Sequence, residues 1–163
     1  MNKGTAERSL RAIDNEIVLL EHINATLSWD QEAAPPLAQE ERAQQIGLLD
    51  KKIHELATSE QLLEALTSLG ASEERKEGDD DLDLETKALV RQRYRLLMKE
   101  GKLSSSFVQV FSETTSLAHQ SWAKARQEND FAQFEPVLEK IVSLSQEKAE
   151  LYGYDRDPYD SLL

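Results

Sequence analysis

The pattern that most constrains this chain is the return of large apolar residues at every third or fourth position through long stretches free of proline and glycine. Leu10, Ile13, Ile17, Leu20 and Leu27 open it, with Asn24 at the position the stripe skips. Spacings of three and four gather side chains on one face of an α-helix, whereas a strand alternates with a period of two. The spacing returns in Ile46, Leu49, Ile53 and Leu56. It runs again from Phe107 through Val110, Phe111, Thr114, Leu117, Ala118, Trp122 and Ala125. This predicts an all-α fold of about six helices in an antiparallel, bundle-like array, with no sheet.

The breakers mark the ends. Four prolines and six glycines serve 163 residues, and most fall between the apolar stripes. The first helix is expected from about Thr5 to Trp29, with Pro35 and Pro36 closing the segment, because adjacent prolines cannot continue a helix. A second runs from about Leu37 to Ala57. Thr58 or Ser59 caps a short third helix, which Gly70 stops in the left-handed position that glycine tolerates best. Residues 71–81, ASEERKEGDDD, hold no large apolar side chain and read as a flexible acidic loop. The run Asp79-Asp80-Asp81 reads as negative charge at the N-terminus of the next helix. A calcium loop would need alternating ligands and a glycine at a set place. The fourth helix spans about Leu82 to Glu100, and the Ser104-Ser105-Ser106 cluster opens a long, central fifth. Asp130 caps a short turn, Pro136 fits the first turn of a sixth helix, and Gly153 ends that helix. The length suits a single helical domain over 1–163 around one core.

Charge narrows the partners. With 31 acidic against 19 basic residues the net charge is −12, which repels phosphate backbones and anionic lipid. Nucleic acid and membranes are therefore not expected partners. The absence of cysteine excludes disulfides and thiolate catalysis. No stretch approaches the ~20 apolar residues that cross a bilayer, and MNKGTAERSL lacks the apolar centre of a signal peptide, so the cytoplasm is the expected location.

Catalytic constellations are not found. The histidines are His22, His54 and His119. A helical zinc-protease site needs two histidines four residues apart, with a glutamate beside the first. His54-Glu55-Leu56-Ala57-Thr58 comes near, but a threonine stands where the second histidine belongs, and its hydroxyl is a poor zinc ligand. Di-iron bundles need a glutamate three residues before a histidine, and Leu19, Lys51 and Ser116 occupy those places. No catalytic or metal-ligating residue is assigned.

Two clusters exceed what core or surface requires. Trp29-Asp30-Gln31-Glu32 precedes the prolines, where the indole could anchor in the core and the carboxylate be presented at a fixed angle. Trp122-Ala123-Lys124-Ala125-Arg126-Gln127-Glu128-Asn129-Asp130-Phe131 places Arg126 one turn beyond Trp122, so that its guanidinium can lie on the indole, and one turn before Asp130, with which it could pair. The first also reads as an aromatic plug with a solvent-facing acid, the second as a structural corner that fixes the angle into the next helix.

Taken in order, these clusters resemble the Taq-type thermostable carboxypeptidases, a family of zinc metallopeptidases. The family's Trp-Asp-Gln element ending in proline is matched by Trp29, Asp30, Gln31 and Pro36, its following arginine by Arg42, and a His-Glu-Leu stretch by His54, Glu55 and Leu56. The element Trp-x-x-Ala-Arg-x-x-Asn-Asp-Phe-x-x-Phe-x-Pro is matched by Trp122, Ala125, Arg126, Asn129, Asp130, Phe131, Phe134 and Pro136. Tyr159 to Leu163 is similar to the segment leading into the family's catalytic part. Ala33 and Pro35 depart from the pattern, where a threonine and a large apolar residue are usual. The resemblance implies the N-terminal helical cap of an enzyme that removes C-terminal residues from peptides, one wall of a groove over a catalytic half outside this chain. It implies zinc in the full-length enzyme but none here, because the family's His-Glu-x-x-His motif lies downstream of the matched region. Trp29, Asp30, Gln31, Arg42, Trp122, Arg126, Asn129, Asp130 and Phe131 are then structural or groove-wall positions. The implied partners are the catalytic C-terminal half, the peptide substrate, and a second copy, since the family's enzymes are commonly dimers. The rival reading is a free-standing helical interaction module without enzymatic activity. A separated cap, by contrast, should expose an apolar face and tend to self-associate.

Overall fold

The computed structural model describes residues 1–33 and 38–163. Seven α-helices and one 3-10 turn make up its regular structure, and no strand occurs among the described residues. They are α1 (Lys3–Ala33), α2 (Gln39–Ala57), α3 (Glu60–Ser68), α4 (Leu84–Glu100), α5 (Ser105–Glu128), the turn Phe131–Gln133, α6 (Glu135–Tyr152) and α7 (Pro158–Leu162). The fold is all-α, as the periodicity predicts. The expected stop at Pro35-Pro36 and the expected start of α2 at Leu37 lie outside the described residues. The short α7 falls in a tail for which no helix was expected. Asp157 begins it by accepting from the Tyr159 amide at 2.9 Å, and Pro158 occupies its first turn.

By contact the chain divides into two compact units, Met1–His22 with Ile53–Lys102, and Ile23–Lys52 with Leu103–Leu163, so that α1 and α2 each contribute to both. The first unit holds the closed core. Ala6, Leu10, Ile13 and Ile17 of α1 meet Leu62, Ala65 and Leu66 of α3 and Val90, Tyr94 and Leu97 of α4, all buried. Each large aliphatic side chain removed from water here contributes roughly 1.5–3 kcal/mol.

Local chemistry sets the ends of these helices. Ser59 caps α3 by accepting from the Leu62 amide at 3.2 Å, while the Thr58 hydroxyl bonds back to the His54 carbonyl. At the other end, Gly70 takes φ 85°. Its amide bonds Thr67 O and the Ala71 amide bonds Leu66 O, a paired closure that satisfies two carbonyls left over at the helix end. A side chain at Gly70 would also meet Asp79, whose Cγ lies 2.6 Å from where a Cβ would stand.

The acidic loop also holds a cation that its own sequence does not announce. Asp83, not the Asp79–Asp81 run, caps α4 through the Thr86 amide at 2.9 Å. Asp79 and Asp81 instead hold the Lys3 ammonium at 2.8 and 2.7 Å. These hydrogen bonds raise the Lys3 pKa above its ordinary value and hold the Asp81 carboxyl below the usual carboxylate range. The buried Arg93 is neutralised by Asp14, with Nε and Nη2 at 2.7 and 2.6 Å from its Oδ1.

In the second unit α6 packs on α5 and α7 on α6, yet few large side chains are fully covered. Thr114, Ala118 and Ala125 are the buried residues of α5, all small. Val110, Leu117 and Trp122, which the expected stripe turned inward, are exposed.

Candidate functional site

Both sequence clusters lie in the second unit. The first occupies the last turns of α1. Asp30 Oδ2 lies 2.5 Å from Nη2 of Arg42, in the first turn of α2, so two residues picked out separately from the sequence form one ion pair. The Arg42 side chain is only 13% exposed, and its Nη1 is buried without a hydrogen-bond partner among the described residues. Gln31 donates through Nε2 to the Ser116 carbonyl at 2.7 Å and accepts from the Ser116 hydroxyl at 3.0 Å, a two-way clasp on α5. Trp29 does not anchor in a core: it is 71% exposed. Its neighbours one turn away, Ala25, Thr26, Glu32 and Ala33, are exposed as well, so the indole falls on the solvent-facing side of α1.

Beside this clasp runs a polar seam between α1, α2 and α5. Asn24, at the position the apolar stripe skips, donates to Asp50 Oδ1 at 2.6 Å. Gly47, in the middle of α2, permits a close approach to α5, since a Cβ there would stand 3.1 Å from the Gln109 carbonyl oxygen. The seam opens into a cleft of about 260 Å³ whose lining includes Gln31, Glu32, Asp50, Ser116 and His119. Ser116 and Gly47 were not singled out from the sequence. A helical serine or glycine carries no local signal of what it will meet on another helix.

The second cluster closes α5. Arg126 lies over the Trp122 ring at 5.3 Å from its centroid, as the spacing of four predicts. Asn129 takes the left-handed conformation (φ 52°, ψ 40°), and the Asp130 amide reaches back to the Ala125 carbonyl at 2.9 Å. Asparagine is one of the few residues other than glycine that stand in this conformation readily. Asp130 does not pair with Arg126. Its carboxylate accepts from the Ala132 amide at 3.1 Å, opening the turn Phe131–Gln133, and from the Gln133 side chain at 3.0 Å. The turn thrusts Phe131 outward, 60% exposed. Trp122, Arg126, Phe131 and Phe134 surround an open pocket of about 230 Å³ together with Ala125, Asn129 and Asp130. No hydrogen bond or ring contact among the described residues joins the two clusters directly. His119, which lines the cleft, approaches the Trp122 ring at 6.0 Å.

His54 is buried, with Nε2 3.0 Å from the Glu100 carbonyl, to which it donates. That nitrogen is therefore engaged, and Thr58 is turned to a backbone carbonyl. No group of three or more metal-ligating side chains occurs among the described residues. No described helix is long and apolar enough to cross a membrane.

Comparison with known proteins identifies the family. Residues 9–163 match the family model of the carboxypeptidase Taq (M32) metallopeptidases. The chain is 34% identical over 143 residues to thermostable carboxypeptidase 1 of Pyrococcus furiosus, covering 87% of this chain and 27% of that protein. To carboxypeptidase 1 of Bacillus subtilis it is 29% identical over 140 residues, 85% of this chain and 27% of the relative. A crystal structure described as BsuCP superposes with a TM-score of 0.87 at 28% identity, over 97% of this chain and 31% of that one. The chain thus spans less than a third of the length of the relatives it matches, and it corresponds to their N-terminal part. On the match over residues 9–163, this chain belongs to the carboxypeptidase Taq (M32) metallopeptidase family.

Proposed function

We propose that this chain is the N-terminal helical cap of a zinc metallocarboxypeptidase that removes C-terminal residues from peptides. In this reading it is not catalytic; it forms one wall of the substrate groove over a catalytic portion outside this sequence. The observation that carries the reading is the family match over residues 9–163 to proteins of which this chain spans only 27–31%. The roles of the motif residues support it. Asp30 with Arg42, and Gln31 with Ser116, brace helices against one another, and His54 and Thr58 engage backbone carbonyls. These are duties of a scaffold. The family is one of metallopeptidases, and the metal we assign to the whole enzyme is zinc, held by residues beyond this chain.

The exposed aromatic and aliphatic side chains of the second unit, Trp29, Leu48, Trp122, Phe131 and Val142 among them, favour this cap over a self-contained interaction module. The direct test is the reading frame beyond Leu163. We expect a His-Glu-x-x-His motif followed by a further glutamate ligand. A stop codon with no such motif in frame would overturn the proposal.

A further inference from the structure

Resting on the cap reading, we infer that the pocket at the end of α5 is the seat for an apolar side chain from the catalytic portion of the parent polypeptide. The corner is built for presentation. Asn129 in the left-handed conformation and the Asp130 cap turn the chain so that Phe131 stands 60% exposed beside Trp122, itself 42% exposed. Arg126 lies over the Trp122 ring and His119 approaches it, yet among the described residues both aromatic side chains keep a large exposed face. Tryptophan, arginine and phenylalanine around one depression are the composition of an interface anchor site.

The size of the pocket selects its occupant. At about 230 Å³ it falls below the ~300–1,000 Å³ of pockets that enclose free small molecules. One large side chain fits that space. A second copy is the weaker candidate. Two copies of a chain of net charge −12 repel one another. In the solved relative, by contrast, this same fold is 31% of one longer polypeptide, so the remaining chain is tethered beside it.

The chain lacks cysteine, so one introduced thiol reports on one place. Ala132→Cys sits in the exposed turn, and Glu74→Cys in the exposed loop of the first unit serves as a control. Each variant is co-expressed with the part of Bacillus subtilis carboxypeptidase 1 that follows its matched stretch. Maleimide labelling is followed by mass spectrometry, alone and in the complex. We expect labelling at Ala132→Cys to slow at least tenfold in the complex, labelling at Glu74→Cys to stay within twofold, and Phe131→Asp to weaken the complex at least tenfold. Circular dichroism should be unchanged by Phe131→Asp, because the ring is largely in water already. A complex in which Ala132→Cys labels as fast as in the free chain overturns the inference and leaves the cap reading standing. Failure of any complex to form overturns the inference, while the reading frame beyond Leu163 decides the cap reading separately. Protection at Ala132→Cys in the chain alone, rising with concentration alongside a dimer in sedimentation, assigns the pocket to a second copy and also overturns the inference.

Discussion

Replacing Asp30 with alanine strands a cation. Arg42 is 13% exposed, its Nη2 is 2.5 Å from Asp30 Oδ2, and its Nη1 already lacks a hydrogen-bond partner among the described residues. Unit charges centred about 4 Å apart attract by ~4 kcal/mol at an effective dielectric constant of ~20. The Asp30 carboxylate is 49% exposed, so solvent screens part of that attraction, and about 2 kcal/mol is the figure we carry forward. Arg42→Met removes the charge while keeping the length and the apolar stem. A buried ion pair replaced by an apolar side chain of similar volume commonly loses little. We therefore expect Asp30→Ala to cost ~2 kcal/mol, Arg42→Met to cost under about 1, and the double variant to resemble Arg42→Met alone, a coupling of ~2 kcal/mol. Urea unfolding followed by far-ultraviolet ellipticity measures all four proteins. An Asp30→Ala cost below about 0.5 kcal/mol, with the two single changes additive, would refute the claim that this pair braces α1 against α2.

Three further outcomes follow from the structure. Leu66→Ala, in the closed core of the first unit, should cost ~2–5 kcal/mol by urea unfolding, whereas Phe131→Ala in the isolated chain should cost under about 0.5 kcal/mol, because its ring is already solvated. Asn129→Gly should be neutral to within about 0.5 kcal/mol, and Asn129→Val should destabilise by ~1–2 kcal/mol, since a β-branched side chain opposes φ 52°; thermal unfolding compares them. The Thr86 amide, then its hydroxyl, holds the Asp83 carboxyl below the ordinary carboxylate range. A lowered carboxyl pKa gives stability that is present above the unfolded value of ~3.9 and is lost as pH falls through the folded value. Carboxyl NMR should accordingly place the Asp83 midpoint below ~3.9, and Asp83→Asn should reduce the loss of stability on acidification through that range.

The fold was largely legible because helix formation is local. The stripe from Leu10 to Ile17 becomes the core face of α1, and Gly70 and Asn129 stand at the left-handed helix ends their chemistry suits. The Arg126–Trp122 stack was readable for the same reason, both residues lying on one turn. What escaped depends on partners distant in sequence. Asp79 and Asp81 clasp Lys3 across more than seventy residues, and nothing in the acidic run announces that partner. Trp29 and Trp122 show why an apolar residue on a helix is ambiguous. Periodicity identifies a face, but whether this chain supplies anything to cover that face depends on tertiary packing. Arg42 was marked only by its place in a family pattern, and its role emerged when α2 brought it to Asp30.

The most direct test of a cap without catalytic machinery is to incubate the purified chain with zinc and a short peptide and follow the liberated C-terminal amino acid by mass spectrometry. The account predicts no release, with or without a chelator. Release that zinc supports and a chelator abolishes would contradict it, because hydrolysis would then reside in the residues of this chain.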